Sequence, residues 1–168
     1  MSPFLCAAAA AAGIAMSGCS SEAPPQPRSA GDLYANLARP GARVDVAAAR
    51  DMISIYRTNK GLSRLRLDPA LQRIAAEQVR SMAAAGGANR SVRSGLRKLM
   101  AQQNLTAGTA VQNVSSGYHT LPEAFAGWRQ SKPHNANMLN RNVRRMGIAT
   151  AYVPGTKYRV HWVLVLAD

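Results

Sequence analysis

The sequence predicts an α+β domain on three observations: two amphipathic helices early in the folded part, apolar strand-like runs at its end, and turn residues between them. Apolar residues Val46, Ala49, Met52, Ile53 and Tyr56 recur at three- and four-residue spacing, which predicts a helix over 44–60 that stops at Gly61. Residues 62–67 alternate apolar and polar side chains and are expected to lie extended against the core. Asp68-Pro69 then supplies an N-cap and a first-turn proline, and Leu71, Ile74, Ala75, Gln78, Val79 and Met82 carry a second helix to Gly86-Gly87.

A short basic helix is expected over 92–103, with Leu96, Leu99 and Met100 inward and Arg93, Arg97 and Lys98 outward. Residues 111–115 read as a strand. Leu121, Ala124, Phe125 and Trp128 mark a helix over 122–128, and Pro133 discourages its continuation through Lys132. An Asn-rich turn then leads to two strands, about 145–153 and 157–166, separated by the turn pair Pro154-Gly155.

The chain has 168 residues, and its beginning is unlike the rest. Residues 4–18 form an uncharged, alanine-rich apolar stretch too short to span a bilayer, which reads as the core of a secretory signal. Met16-Ser17-Gly18-Cys19 places small residues ahead of a cysteine and resembles a bacterial lipobox, so Cys19 is expected to be lipidated and to begin the mature protein. The alternative is a spare thiol in a leader cleaved further on. Residues 1–18 are thus read as a lipoprotein-type signal peptide, 19–43 as a flexible Pro/Ser-rich tether and lead-in, and 44–168 as one domain. The other cysteine is Cys6, inside the leader, so the domain has neither an internal disulfide nor a set of thiol ligands.

Charge points to partners. The chain has 21 Lys and Arg against 8 Asp and Glu, a formal net charge of +13, and every basic residue lies at or after Arg28. Such a balance attracts polyanions. Clusters at Arg57-Lys60-Arg64-Arg66, Arg90-Arg93-Arg97-Lys98 and Arg141-Arg144-Arg145 read either as a solvated face or as a continuous positive patch. An exported chain with few aromatic residues for base stacking argues against nucleic acid and for anionic envelope components or lipid. A monomer is expected, on the cell envelope through a lipid anchor at the periplasmic face of a membrane, with the outer membrane among the options, or secreted.

Trp128-Arg-Gln-Ser131-Lys-Pro133-His134-Asn-Ala-Asn137, followed by Gly147-Ile148-Ala149, is the most specific stretch. With the order of elements around it, over about residues 44–167, it resembles the CAP superfamily of cysteine-rich secretory, venom-antigen and pathogenesis-related proteins, in its cysteine-free bacterial branch. The resemblance implies an α-β-α sandwich with an antiparallel sheet between helical layers. It also implies a cleft where complete members display two histidines and two glutamates that can hold a divalent metal. His134 matches the second histidine. Asn89 or Arg90 stands where the first belongs, Gln112-Asn113 replaces the Glu-Asn pair, and Ser131 replaces the last glutamate.

One residue of that tetrad remains, and a lone imidazole without a carboxylate binds metal weakly. No tight zinc site, metal or cofactor is therefore expected. His134, Gln112, Asn113, Ser131 and Asn89 are the candidate ligand-binding residues, with Asn113 read mainly as a tie for the cleft loop. His134 itself is open between contacting a ligand and bonding the Asn137 loop. Glu123, in the first turn of its helix, reads as a cap. His119 and His161 lie outside the motif, and His161 reads as a sheet residue beside Trp162. The leading function is a non-enzymatic binding module for lipid, wall polymer or protein. The alternative is an envelope hydrolase, peptidase or wall-lytic, using His134 with Glu123 or a bound ion.

Overall fold

A computed structural model describes residues 33–87 and 94–168. Helix α1 (Val46–Thr58) starts where the Asp45 carboxylate accepts hydrogen bonds from the Ala47 and Ala48 N–H groups, each at 2.9 Å. The chain turns at Gly61, whose φ of 73° suits glycine. It then runs through buried Leu65, whose N–H donates to the Ser54 hydroxyl, into the two-residue strand β1 (Arg66–Leu67). Helix α2 (Pro69–Ala84) follows, capped by Asp68 through the Ala70 and Leu71 N–H groups.

Helix α3 (Leu96–Gln102), strand β2 (Ala110–Ser116) and helix α4 (Leu121–Gln130) come next. After them lie helix α5 (Lys132–Met138), strand β3 (Arg145–Tyr152) and strand β4 (Val160–Ala167). The sheet order is β1-β3-β4-β2. The β2, β3 and β4 pairings are antiparallel, but β1 pairs with β3 in parallel, so the sheet is mixed where an antiparallel one was expected. This short parallel pair is possible because the whole of α2 to α5 separates its strands in sequence.

β4 is buried along its whole length, as its near-continuous apolar run requires. Val160, Trp162, Leu164 and Leu166 face one side, where they pack with Ile53 of α1, Trp128 of α4 and Met138 of α5. Val163, Val165 and Ala167 face the other side, against Leu71, Ile74 and Met82 of α2 and Met100 of α3. Trp128 and Trp162 meet edge to face, 6.0 Å between centroids. Their indole N–H groups donate to the Ser115 hydroxyl and the Tyr118 carbonyl. Helices therefore cover both faces of the sheet.

Gly147 lets α2 dock. A Cβ there would overlap the main chain of Leu71 and Gln72, so only glycine admits the first turn of α2 this close to β3. The Gln72 amide then completes the contact, donating to the Ile148 carbonyl at 2.7 Å and accepting from the Ile148 N–H at 3.0 Å.

Two further expectations need correction. Residues around 134–138 form a helix rather than an Asn-rich turn, because Pro133 sits in the first turn of α5, where its missing N–H costs nothing. Arg57 does not belong to a solvated basic face. It is fully buried, and its guanidinium donates to the carbonyls of Ser63, Met138, Asn140 and Val143 at 2.6–3.0 Å. Burial, with a smaller contribution from Arg144, lowers its pKa.

Candidate functional site

His134 projects from α5, which follows α4 across a single residue, Ser131, in extended conformation with ψ 112°. The sequence produces this corner locally. Ser131 ends α4, and the residue pair Lys132-Pro133 restarts a helix at once.

Beneath α5 lies β2. Asn113 is fully buried, and its Nδ2 donates to the His134 carbonyl at 3.1 Å. Asn137 returns the contact, its Nδ2 donating to Asn113 Oδ1 at 3.0 Å and to the Gln112 carbonyl at 2.9 Å. On the outer side of α5 the Tyr56 hydroxyl donates to Asn135 Oδ1 at 3.0 Å. The Arg129 guanidinium lies over the Tyr56 and Phe125 rings, 5.0 and 5.7 Å from their centroids.

The His134 imidazole is half-buried, and burial lowers its pKa below the usual histidine value, so the neutral ring is favoured. Ser131 is half-buried, with no side-chain hydrogen bond capping α5. Strand alternation divides Gln112 from Asn113. Val111 and Asn113 face the α1, α4 and α5 layer, whereas Ala110, Gln112 and Val114 face α2 and α3. Only the main chain of Gln112 reaches α5. Asn89 lies outside the described residues, as do Arg90 and Arg93.

The structure does not bring Glu123 to His134. Its carboxylate accepts from the His119 N–H at 2.7 Å while its own N–H donates to the Thr120 hydroxyl, a reciprocal cap at the far end of α4. His161 is buried on β4, its Nδ1 2.9 Å from the Ser116 hydroxyl, and burial lowers its pKa as well. Among the described residues no group of three or more His, Cys, Asp or Glu side chains is gathered where a metal could be held. Nor is any described helix long and apolar enough to cross a membrane.

Chemically, the site offers a neutral imidazole, a corner hydroxyl and a cation stacked on two rings, over a strand whose Asn113 amide is consumed in holding α5. Sequence reasoning missed Tyr56, Asn135 and Arg129 as its neighbours. The missed signal was Ser131-Lys132-Pro133, which reads as a helix start as readily as a stop.

The model of the Cysteine-rich secretory protein family (CAP) matches residues 50–166. No curated protein matches the chain. Among solved structures it is similar to a cysteine-rich secretory protein from Staphylococcus aureus, with TM-score 0.60 and 20% identity over 73% of this chain and 38% of that one. It is similar to an extracellular protein containing an SCP domain from Bacillus anthracis, with TM-score 0.62 and 17% identity over 73% and 40%. It also resembles an outer surface protein from Borrelia burgdorferi, with TM-score 0.64 and 14% identity over 76% and 98%. The chain thus spans less than half the length of the first two and nearly all of the third.

Proposed function

The chain belongs to the CAP family of cysteine-rich secretory proteins, and from that premise we propose that it is a cell-envelope binding module, anchored by a lipid on Cys19, that holds an anionic envelope component without catalysing its turnover. That its structural neighbours include an extracellular and an outer surface protein supports an exported location. What carries the reading is the way the acids are used. Asp45 and Asp68 cap helices, Asp51 pairs with Arg50 and Arg64, Glu123 binds the His119 main chain and Asp168 that of Thr109. Among the described residues few carboxylates remain to neutralise exposed cations such as Arg43, Arg73, Arg80, Arg97, Lys98, Arg129 and Lys132.

A lipid anchor would keep those cations within reach of phosphate-bearing headgroups or acidic wall polymers. Each basic side chain near such a surface contributes on the order of 1 kcal/mol. Arg129 and Lys132 flank the corner that displays His134. Lipid or polymer bound there would meet charge first and the half-buried imidazole second. A hydrolase built on His134 and Glu123 has no support, since Glu123 is committed at the other end of α4.

Mass spectrometry of the detergent-extracted protein tests the anchor, with an acylated Cys19 as the first residue expected. Sedimentation with phosphatidylglycerol vesicles and with acidic wall polymer tests the binding, which should weaken steeply as salt rises. An unmodified N-terminus beyond residue 19, or retention that ignores both lipid charge and salt, would sink the proposal.

A further inference from the structure

The β3 edge of the sheet carries a second candidate site, on the side of the molecule formed by α2 and the loop before α1. β1 pairs only with Arg145 and Met146, so among the described residues β3 is an edge strand from Ile148 onward. The Val153 N–H bonds the Arg159 carbonyl across the hairpin, which fixes the phase of the ladder. Odd-numbered residues of β3 bond β4, and even-numbered ones face outward. The outward groups are met in turn. The Met146 carbonyl accepts from the Asp68 N–H, and both main-chain groups of Ile148 bond the Gln72 amide.

There the cover ends. The N–H and C=O of Thr150 and Tyr152 face away from β4, and no hydrogen bond reaches them from the described residues. Beside them opens a cavity of about 420 Å³, within the range of ligand sites. Its walls are Ala76, Val79 and Arg80 of α2 on one side, and Arg43 and Val44 of the loop on the other. Ala149 and Ala151 supply no bulk to fill it. The Thr150 hydroxyl, which lines the cavity, is shielded from solvent and has no hydrogen-bond partner among the described residues.

We propose that this groove takes an extended acidic peptide as an added strand beside β3. The occupant must offer main-chain donors and acceptors at strand spacing, because that is what Thr150 and Tyr152 leave unmet, and Gln72 already imitates such a strand at Ile148. Three residues of strand, about 10 Å, would span the gap. Their side chains would alternate between the α2 wall and the loop wall, where small apolar residues leave space. Acidic character follows from charge. Arg43 and Arg80 stand exposed on opposite walls, and among the described residues no carboxylate lines the cavity and neither arginine is paired with an acid. This site goes beyond the envelope reading above, which concerns the surface cations at large, and stands or falls without it.

Amide hydrogen exchange on the full chain, with and without the hexapeptide Val-Glu-Glu-Val-Glu-Glu blocked at both ends, whose acids fall on both faces of a strand, tests the groove. The Thr150 and Tyr152 amides should exchange freely in the protein alone and slow when the peptide is added. Arg43→Glu with Arg80→Glu, both exposed and outside the core, should weaken binding at least about tenfold, roughly 1.4 kcal/mol. Thr150→Pro removes an outward N–H that the ladder does not use and should abolish binding. If that variant fails to fold, the arginine pair carries the test. Equal binding of the valine–lysine counterpart, binding unchanged by charge reversal, or the same protection from phosphatidylglycerol vesicles would overturn the proposal. So would slow exchange at both amides before any peptide is added, since the chain's own N-terminal segment would then be the occupant.

Discussion

At the β2 edge, Asn113 sends its amide up to the His134 carbonyl and Asn137 sends one back down to Asn113 and Gln112. At the β3 edge, the Gln72 amide spans the gap between helix and strand beyond the Asp68 cap. Both are helix-to-strand contacts made by side-chain amides on main-chain groups. They differ in burial and in what answers: Asn113 is fully buried and answered by the Asn137 side chain of α5, whereas Gln72 is half-buried and answered by the Ile148 main chain. Water can replace a lost partner at Gln72 but not at Asn113. The first contact fixes the corner that displays His134, and the second closes one rung of an edge and leaves the next rungs open.

The comparison can be broken most severely at Gly147. Gly147→Val forces α2 off β3, and a loss of at least ~3 kcal/mol in urea unfolding, or failure to fold, is expected. A stable, native-like variant would mean that α2 docks with far more slack than the backbone contact implies. Asn113→Ala comes second, at about 2 kcal/mol, because it leaves the His134 carbonyl without its donor and takes from the Asn137 amide one of its two acceptors, at a strand position that is itself fully buried. Gln72→Ala should cost only about 1 kcal/mol, since Ile148 then bonds water. If Gln72→Ala costs as much as Asn113→Ala, the distinction by burial fails.

The smallest effect is a pH slope. Burial depresses the folded-state pKa of both His134 and His161, so as pH falls below the usual histidine value of about 6.5 the unfolded chain takes up protons first. Stability should therefore decline from pH 7 toward pH 5, well above the range where Asp68 titrates. Burial works against the Asp68 carboxylate, but hydrogen bonds from Leu71, Arg145 and Ala70 outweigh it and lower its pKa. His134→Gln should flatten part of the slope, as read from thermal midpoints across that range. A midpoint that rises on acidification would contradict the assignment.

Much of this was legible in the residues. Asp45 and Asp68 mark the starts of α1 and α2 by N-cap chemistry, and the 3.6-residue period of Leu71, Ile74, Ala75, Val79 and Met82 gives the face that α2 buries. The CAP-like order of elements follows from such local signals. The misses are of another kind. Pro133 both stops one helix and starts another, and only the ψ of Ser131 decides which effect is seen. Arg57 sits in a charge cluster by sequence but turns inward, because four carbonyls converge on it from segments far apart in the chain. Asn113 as a tie for the corner was readable from the motif. Its separation from Gln112 onto the opposite face follows from strand alternation once β2 is placed.

Arg57 has a further consequence for a domain whose cysteines all precede residue 20. Its guanidinium joins α1 to the end of α5 and the turn after it across sequence separations of 81 to 86 residues, a long-range tie of the kind that small secreted domains make with disulfides. Donor-acceptor pairing does here what thiol oxidation does elsewhere. The clasp needs no oxidase to form and no isomerase to correct, and reductants leave it intact.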